Sequence, residues 1–118
     1  MNYDPYSVVV VPFPFTDKPV LKKRPALILS CRKHQEQTQH ATLLMITSAE
    51  HSSWPSDFII TDLDKTGLKA KSIIRQKIFT IDLRLILKSI GTLSSRDKKL
   101  TIAKLQEHFP ALEPNLKR

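Results

Sequence analysis

Three consecutive cations stand directly before an apolar stretch of the chain. Lys22, Lys23 and Arg24 precede Pro25, and residues 26–30 read Ala-Leu-Ile-Leu-Ser, the pattern of a buried strand. Proline disfavours the helical region for the residue before it, so we expect Arg24 to enter the strand in an extended conformation. A guanidinium is planar, permanently charged and able to bind two oxygens at once, which suits it to holding a phosphate. The simpler alternative is a solvated basic turn.

The charge balance of the whole chain points to a polyanionic partner. The 118 residues include 19 Lys and Arg against 11 Asp and Glu, a formal net charge of +8. In a chain of this size such an excess favours binding to nucleic acid, although solubility alone is the simpler alternative. A hydrophobic content of 41% and only two glycines argue against a disordered chain and against a repeat array.

Motifs for several other kinds of chemistry are missing from the sequence. It has no Gly-rich phosphate-binding loop and no serine nucleophile elbow. Its four histidines show no spacing typical of a metal site. We therefore expect neither a metal nor another cofactor, and any catalysis would fall to Arg, Lys, Thr, Ser, Asp and Gln side chains.

The cysteine content and the N-terminus both bear on where the protein works. Cys31 is the only cysteine, so no internal disulfide can form, which fits a reducing compartment. Because it follows the apolar stretch, we expect a buried and inert thiol. The N-terminus lacks a basic and apolar leader, and the apolar runs are far too short to cross a membrane. These features predict a cytoplasmic protein without a membrane partner.

Short apolar runs separated by polar loops predict a mainly β domain. The predicted strands are 8–11, 25–31, 42–48, 58–60, 72–77 and 88–93. Because no long helices separate these strands, we expect a small antiparallel barrel. The length of the chain predicts a single domain covering residues 1–118.

The segments between the strands carry turn and loop signals. Pro12 is expected to end the first strand, because proline cannot donate a backbone hydrogen bond. Residues 16–24 read as an exposed loop, and residues 32–40 read as a polar hairpin loop with weak helical potential. A terminal helix is predicted to begin at Ser94 or Ser95, with an apolar side that faces the core.

Six segments of the chain occur in an order that matches one known family. They read V-V-V-V-P-F-P-F at 8–15, K-R-P-A-L-I-L-S at 23–30, I-T-S at 46–48, G-L-K-A-K-S at 67–72, F-T-I-D at 79–82 and I-G-T-L at 90–93. In this order and spacing the sequence resembles the MazF/PemK family of toxins from bacterial toxin–antitoxin pairs. The resemblance covers about residues 6–108 and leaves 110–118 as a tail.

The resemblance implies a fold, an activity and partners. The fold is an SH3-like barrel of the CcdB/Kid type with a C-terminal α-helix, usually in a homodimer. The activity is that of a growth-inhibiting endoribonuclease that cuts single-stranded messenger RNA at short sequences without a metal. The expected partners are therefore single-stranded RNA and a cognate antitoxin protein that blocks the RNA groove.

Two residues of the family's site match positions in this sequence. The arginine of the Arg-Pro pair falls on Arg24, and the threonine of the third strand falls on Thr47. In relatives these two flank the scissile phosphate, where a guanidinium and a hydroxyl would stabilise the developing charge. The attacking group would be the 2′-hydroxyl of the RNA, which gives a 2′,3′-cyclic phosphate and a 5′-hydroxyl. Ser48 is a secondary contact, and a local backbone hydrogen bond is the simpler role for either hydroxyl.

The sequence departs from the family where an acid or base is needed. Tyr6 and Ser7 replace the usual Gly-Asp before the first strand. Asp17 is the only acid in the following loop, where it is a candidate base or, more simply, a turn-capping residue. A carboxylate that many relatives carry on the strand before F-T-I-D falls on Gln76. Gln76 can position a 2′-hydroxyl but is a poor proton acceptor, which predicts slow or differently organised cleavage.

Further basic and aromatic residues are candidates for RNA binding. Arg75 and Lys77 are two apart on a predicted strand, so we expect them to share a face and to extend a row of phosphate contacts from Lys22, Lys23 and Arg24. A solvated strand face is the alternative.

Trp54 is the only tryptophan and lies on a loop that relatives use to approach RNA or the antitoxin. Packing in the core is the alternative for Trp54, because tryptophan is highly buried on average.

Three alternatives to a ribonuclease toxin remain open on the sequence. The first is a weakened family member that binds RNA or its antitoxin without cutting, as the missing carboxylate suggests. The second is a toxin on the same barrel that acts on DNA gyrase, against which the Arg-Pro and I-T-S motifs argue. The third is a basic barrel that binds nucleic acid for another purpose.

Overall fold

The computed structural model describes residues 1–13, 22–49 and 53–112, with the backbone alone for Phe13. Its strands are β1 (Ser7–Phe13), β2 (Lys22–Ile28), β3 (His40–Ser48), β4 (Phe58–Ile59), β5 (Ser72–Asp82) and β6 (Lys88–Thr92). They form one six-stranded sheet in the order β4-β5-β3-β2-β1-β6. Every neighbouring pair is antiparallel.

Two α-helices and two short 3₁₀ turns complete the described residues. Helix α1 (Arg32–Thr38) follows β2, and helix α2 (Ser95–His108) follows β6. The 3₁₀ turns are Leu83–Leu85 and Pro110–Leu112. The fold is a curled, half-barrel antiparallel sheet with a C-terminal helix, which confirms the predicted mainly β class. None of the helices in these three segments is long and apolar enough to span a bilayer.

Side chains alternate along the strands, and they build a separate apolar cluster on each face of the sheet. One cluster contains Val9, Val11, Ala26, Ile28 and Leu43 together with residues from the N-terminus and the end of β5. The other contains Val8, Leu27, Leu44, Ile46 and Ile74, and α2 packs on it through Leu100 and Leu105. We call the second side the helix face and the first side the open face. Successive strand residues point to opposite faces, so this division fixes the direction of the polar side chains between them.

A buried carboxylate fastens α2 to the sheet. Ser94 Oγ accepts a hydrogen bond from the Asp97 backbone N–H at 3.1 Å, which caps the helix. The Asp97 side chain is 0% exposed. It accepts from the Thr61 hydroxyl at 2.8 Å and from the backbone N–H groups of Thr61 and Asp62 at 3.2 and 3.0 Å. These bonds tie the first turn of the helix to the chain that leaves β4.

Strands β1 and β2 are longer at their connected ends than predicted. The ladder continues through Pro12↔Lys23 and Phe13↔Lys22, so Pro12 does not end β1 and residues 22–24 belong to a strand. The pairing of β1 with β6 stops at Val10, so Pro12 has a ladder neighbour on one side only. A proline is tolerated at such a position because its missing N–H faces away from the sheet.

The segment after β2 also differs from the prediction. Residues 32–38 form a helix instead of a hairpin loop, because tertiary contacts complete a weak local preference. Gln35 is 0% exposed and donates through Nε2 to the carbonyls of Tyr3 and Ser30, while its Oε1 accepts from the Tyr3 N–H. Cys31 is exposed at the start of this helix, so the prediction of a buried thiol is wrong.

Candidate functional site

The register of β2 and β3, extended beyond its last paired residues, sets the two residues predicted at the catalytic centre opposite each other. Strands β2 and β3 pair Ala26 with Met45 and Leu27 with Leu44, and the same register continued by two residues sets Arg24 opposite Thr47. Directly opposed residues of an antiparallel pair point to the same face, with Cβ atoms about 5 Å apart. Arg24 pairs with Val11 and therefore belongs to the open face. Arg24 and Thr47 therefore belong to the same face of the sheet, away from the helix-covered side.

Neither polar group at this pair is satisfied by the described part of the protein. Arg24 is half-buried, and its Nε is enclosed without a hydrogen-bond partner among the described residues. Thr47 is 8% exposed, and no other described residue bonds its hydroxyl. A buried N–H without a partner costs about 1–3 kcal/mol, more when the group is charged. A half-buried guanidinium in this state is a candidate to bind an anion from outside the protein.

A second polar group on the open face consists of Arg75, Asp57 and Trp54, and we call it the arginine–tryptophan stack. Strand β4 pairs Phe58 with Ile74, and the next position outward sets Asp57 opposite Arg75. Arg75 Nε donates to Asp57 Oδ1 at 3.2 Å, and Nη2 donates to Oδ2 at 2.9 Å. Both side chains are about nine-tenths buried, at 8% and 10% exposed.

Trp54 is held in the stack by its backbone and by its ring. Its N–H donates to Asp57 Oδ2 at 2.8 Å, and the Arg75 guanidinium carbon lies 5.1 Å from the centroid of its ring. Trp54 is 42% exposed, so the alternative of core packing is wrong. The sequence analysis did not single out Asp57, because its role depends on the pairing of β4 with β5.

Arg75 and Lys77 do not share an exposed face, so that prediction is wrong. Arg75 is 7% exposed and Lys77 is exposed. The register shifts between them, from Met45↔Arg75 to Leu44↔Ile78. Between these two pairs β3 advances by one residue while β5 advances by three. Side chains two residues apart on a regular strand point to the same face, and this irregularity breaks that rule for Arg75 and Lys77.

Gln76 points to the helix face, away from Arg24 and Thr47. It lies two residues after Ile74, which belongs to the cluster under α2, and it is 5% exposed. Its Oε1 is 2.6 Å from Nδ1 of His108, and its Nε2 is buried without a partner among the described residues. The predicted positioning of a 2′-hydroxyl by Gln76 does not fit this placement.

The remaining predicted residues are distributed around the Arg24–Thr47 pair. Lys22 and Lys23 are exposed at the start of β2, next to Arg24. Ser48 is partly buried and pairs in register with Ser72, so it alternates with Thr47 and points to the other face. Asp17 lies outside the described residues.

Within the described segments no group of three or more His, Cys, Asp or Glu side chains could hold a metal ion.

The family assignment follows from a comparison with protein-family models. Residues 4–109 match the model described as PemK-like, MazF-like toxin of type II toxin–antitoxin system. The match covers most of the chain, and the chain therefore belongs to this toxin family, in which MazF-type members are endoribonucleases. None of the curated proteins compared with the chain matches it significantly.

Solved structures with low sequence identity share the fold. One is an endoribonuclease from a mycobacterial species in complex with its cognate antitoxin, with a TM-score of 0.74, 13% identity, and coverage of 95% of this chain and 99% of that chain. Another is the MazE–MazF complex from Deinococcus radiodurans, with a TM-score of 0.73, 18% identity, and coverage of 93% and 98%. The Mycobacterium tuberculosis toxin MazF-mt6 has a TM-score of 0.69 at 18% identity, with coverage of 88% and 96%.

Proposed function

We propose that the protein is a ribonuclease toxin that cuts single-stranded messenger RNA at Arg24 and Thr47. The observation that carries the proposal is the buried Arg24 Nε, which has no hydrogen-bond partner among the described residues and belongs to the same face as Thr47. A charged donor in that state stabilises a phosphate, and it gains strength as charge builds up in the transition state. Membership of the PemK/MazF-like family supports the same activity.

In the proposed reaction the RNA supplies its own nucleophile. The 2′-oxygen attacks the adjacent phosphorus, the bond from phosphorus to the 5′-oxygen breaks, and the products carry a 2′,3′-cyclic phosphate and a 5′-hydroxyl. Arg24 donates hydrogen bonds to a non-bridging oxygen and a proton toward the leaving 5′-oxygen. The Thr47 hydroxyl donates to the phosphate and helps to align the attack in line. The reaction needs no metal.

The proton of the 2′-hydroxyl has to leave the site in this mechanism, and the described carboxylate beside Arg75 is a poor acceptor. Both oxygens of Asp57 accept from Arg75, and one also accepts from Trp54. Asp17 stays a candidate base, and Gln76 is directed away. This arrangement supports a second candidate function, a family member that binds RNA or its antitoxin and cuts slowly or not at all.

The partners in this proposal follow the family. We expect a homodimer in the cytoplasm, single-stranded RNA on the open face, and a cognate antitoxin that competes with the RNA. The exposed Lys22 and Lys23 and the net charge of +8 favour a polyanionic ligand at this end of the sheet. A gyrase-directed toxin has no comparable support from the Arg24–Thr47 arrangement.

The proposal is tested by incubating the purified protein with a long single-stranded RNA in EDTA and mapping the ends. We expect discrete cuts with cyclic-phosphate and 5′-hydroxyl ends, and we expect Arg24→Ala to abolish them. RNA that is bound but stays intact would instead support the binding candidate. RNA that is neither bound nor cut would overturn both.

A further inference from the structure

We propose that the indole of Trp54 is a stacking platform for an unpaired base of single-stranded RNA, and that the Asp57–Arg75 pair holds it in place. The platform rests on the proposed function, because it lies beside the phosphate assigned to Arg24 and Thr47. It adds a base-binding position to that site and gives Arg75 a positioning role in place of a direct phosphate contact.

The exposure of Trp54 is unusual among the aromatic residues. Of the Phe, Tyr and Trp side chains that the structure describes, Trp54 alone is exposed: Tyr3 and Phe58 are buried, and Tyr6, Phe79 and Phe109 are partly buried. An exposed aromatic ring is the feature that proteins use to stack the bases of single strands. Stacking tolerates any base, because every base has a π face.

The ring is held rigidly, which is what stacking requires. The guanidinium of Arg75 lies over Trp54, and the bidentate pair with Asp57 fixes the guanidinium in a site that is about nine-tenths buried. The N–H of Trp54 is bonded to the same carboxylate, so both the backbone and the ring are restrained. Because the ring is already fixed, little free energy is spent on ordering the protein when a base stacks on the indole.

The arginine–tryptophan stack is in a suitable position to bind the base of a nucleotide next to the scissile phosphate. Arg75 is opposite Met45, and Ile73 is opposite Thr47, so Arg75 and Thr47 are diagonal neighbours on one face. Diagonal neighbours in an antiparallel pair are about 7–8 Å apart. A cavity of about 420 Å³ adjoins this part of the face and is lined in part by Ser53, Asp57, Lys71 and Ile73. The cavity borders Asp57, whose carboxylate bonds the backbone of Trp54, so there is open space next to the stack.

The test uses the intrinsic fluorescence of the protein, since Trp54 is its only tryptophan. A single-stranded oligonucleotide of randomised sequence with 2′-O-methyl riboses cannot be cut by 2′-hydroxyl attack, so it measures binding alone. We expect it to quench the Trp54 emission with the same Kd as that from the anisotropy of a labelled oligonucleotide. Duplex RNA, whose bases are already stacked, is expected to leave the emission nearly unchanged.

Variants separate stacking from charge and from folding. We expect Trp54→Ala to weaken binding about ten-fold, Trp54→Phe to weaken it less because a ring remains, and Asp57→Asn to weaken it by releasing Arg75. The factor by which Trp54→Ala weakens RNA binding should be the same at low and high salt, because stacking releases no counterions. Ile102→Ala is the matched control, since Ile102 is 44% exposed but lies on α2, and its binding should equal that of the wild type.

The outcomes distinguish failure of the platform from failure of the proposed cleavage. Unchanged emission on binding, or wild-type affinity of Trp54→Ala, overturns the platform even where Arg24 is needed for cutting. Quenching that duplex RNA causes equally also overturns it. Quenching by single strands in a protein that cuts no RNA keeps the platform and overturns the cleavage. Circular dichroism and thermal unfolding show that each variant is folded.

Discussion

Two buried charged side chains, one on each face of the sheet, differ in their hydrogen-bond partners. On the helix face, the Asp97 carboxylate is fully buried and accepts from Thr61, Asp62 and Ser94. On the open face, Arg24 has a buried Nε with no partner among the described residues. A buried charge whose hydrogen bonds are all made inside the protein stabilises the fold, whereas one left without a partner weakens the fold until a ligand binds. Asp97 therefore fastens the fold, whereas Arg24 is a candidate to bind a ligand.

The largest expected effect is the loss of activity in Arg24→Ala without a loss of stability. Removing one charged donor from a phosphate in the transition state lowers the rate about 10²–10³-fold. The free energy of unfolding should stay the same or rise slightly, because an unsatisfied buried N–H is removed. Cleavage rates and urea denaturation on the same preparations measure both. A clear fall in stability would mean that Arg24 has a structural partner and would break the comparison.

Asp97→Ala is expected to show the reverse pattern. It leaves the N–H groups of Thr61 and Asp62 without an acceptor and removes the tie between α2 and the sheet. We expect unfolding to become easier by about 2–4 kcal/mol, while the cleavage rate per folded molecule is unchanged. Urea denaturation followed by circular dichroism gives the first value. Asp97→Asn keeps an acceptor and should be less destabilised than Asp97→Ala.

Thr47→Val tests whether the hydroxyl on the open face acts on the phosphate. Valine keeps the β-branched shape of a residue that is 8% exposed, so the strand should fold normally. A hydrogen bond to a charged oxygen is worth about 1.5–3 kcal/mol, which predicts a fall in rate of roughly 10- to 100-fold. Thr47→Ser retains the hydroxyl and should retain most of the rate. If Thr47→Val and Thr47→Ser cut RNA at the same rate, the Thr47 hydroxyl has no role in cleavage.

Gln76→Glu tests the division into two faces directly. The family pattern aligned to the sequence places a catalytic carboxylate at this position, but the side chain contacts His108 on the helix face. We therefore expect no increase in cleavage rate beyond about two-fold, a change of about 0.4 kcal/mol in the barrier. Single-turnover kinetics on the variant and the wild type measure it. A large increase would show that position 76 reaches the open face.

The smallest expected effect concerns an ion pair at the end of β5, away from both buried groups. Hydrogen bonds from Arg84 lower the pKa of Asp82 to about 2. Because the folded pKa lies below the ordinary value, any stabilisation is complete above about pH 4 and is lost as the pH falls through about 2. NMR titration of the carboxyl carbon should give this midpoint. In Arg84→Ala it should rise toward the ordinary value, and a midpoint that stays near 2 would contradict the assignment.

Much of the fold could be predicted from local patterns, and the errors have physical causes. The run of four valines, the apolar segments of β3 and β5, and the capped terminal helix were all predicted from the sequence. Helix α1 was missed because it depends on buried bonds from Gln35 to distant carbonyls. The extension of β1 through Pro12 was missed because proline is tolerated only where one side of a strand lacks a neighbour, and that depends on where β6 ends.

The sequence by itself determined the family of the protein and its charge, and it singled out Arg24 and Thr47 as candidates, because a motif and its order along the chain are local properties. Tertiary structure decided on which face of the sheet the other candidate residues lie and which side chains they contact. The register shift on β5 buries Arg75 and leaves Lys77 exposed, and alternation from Ile74 turns Gln76 toward α2. The pairing of β4 with β5 brings Asp57 to Arg75 and places Trp54 over it. Register is a property of two strands at once, so one strand's sequence cannot determine it.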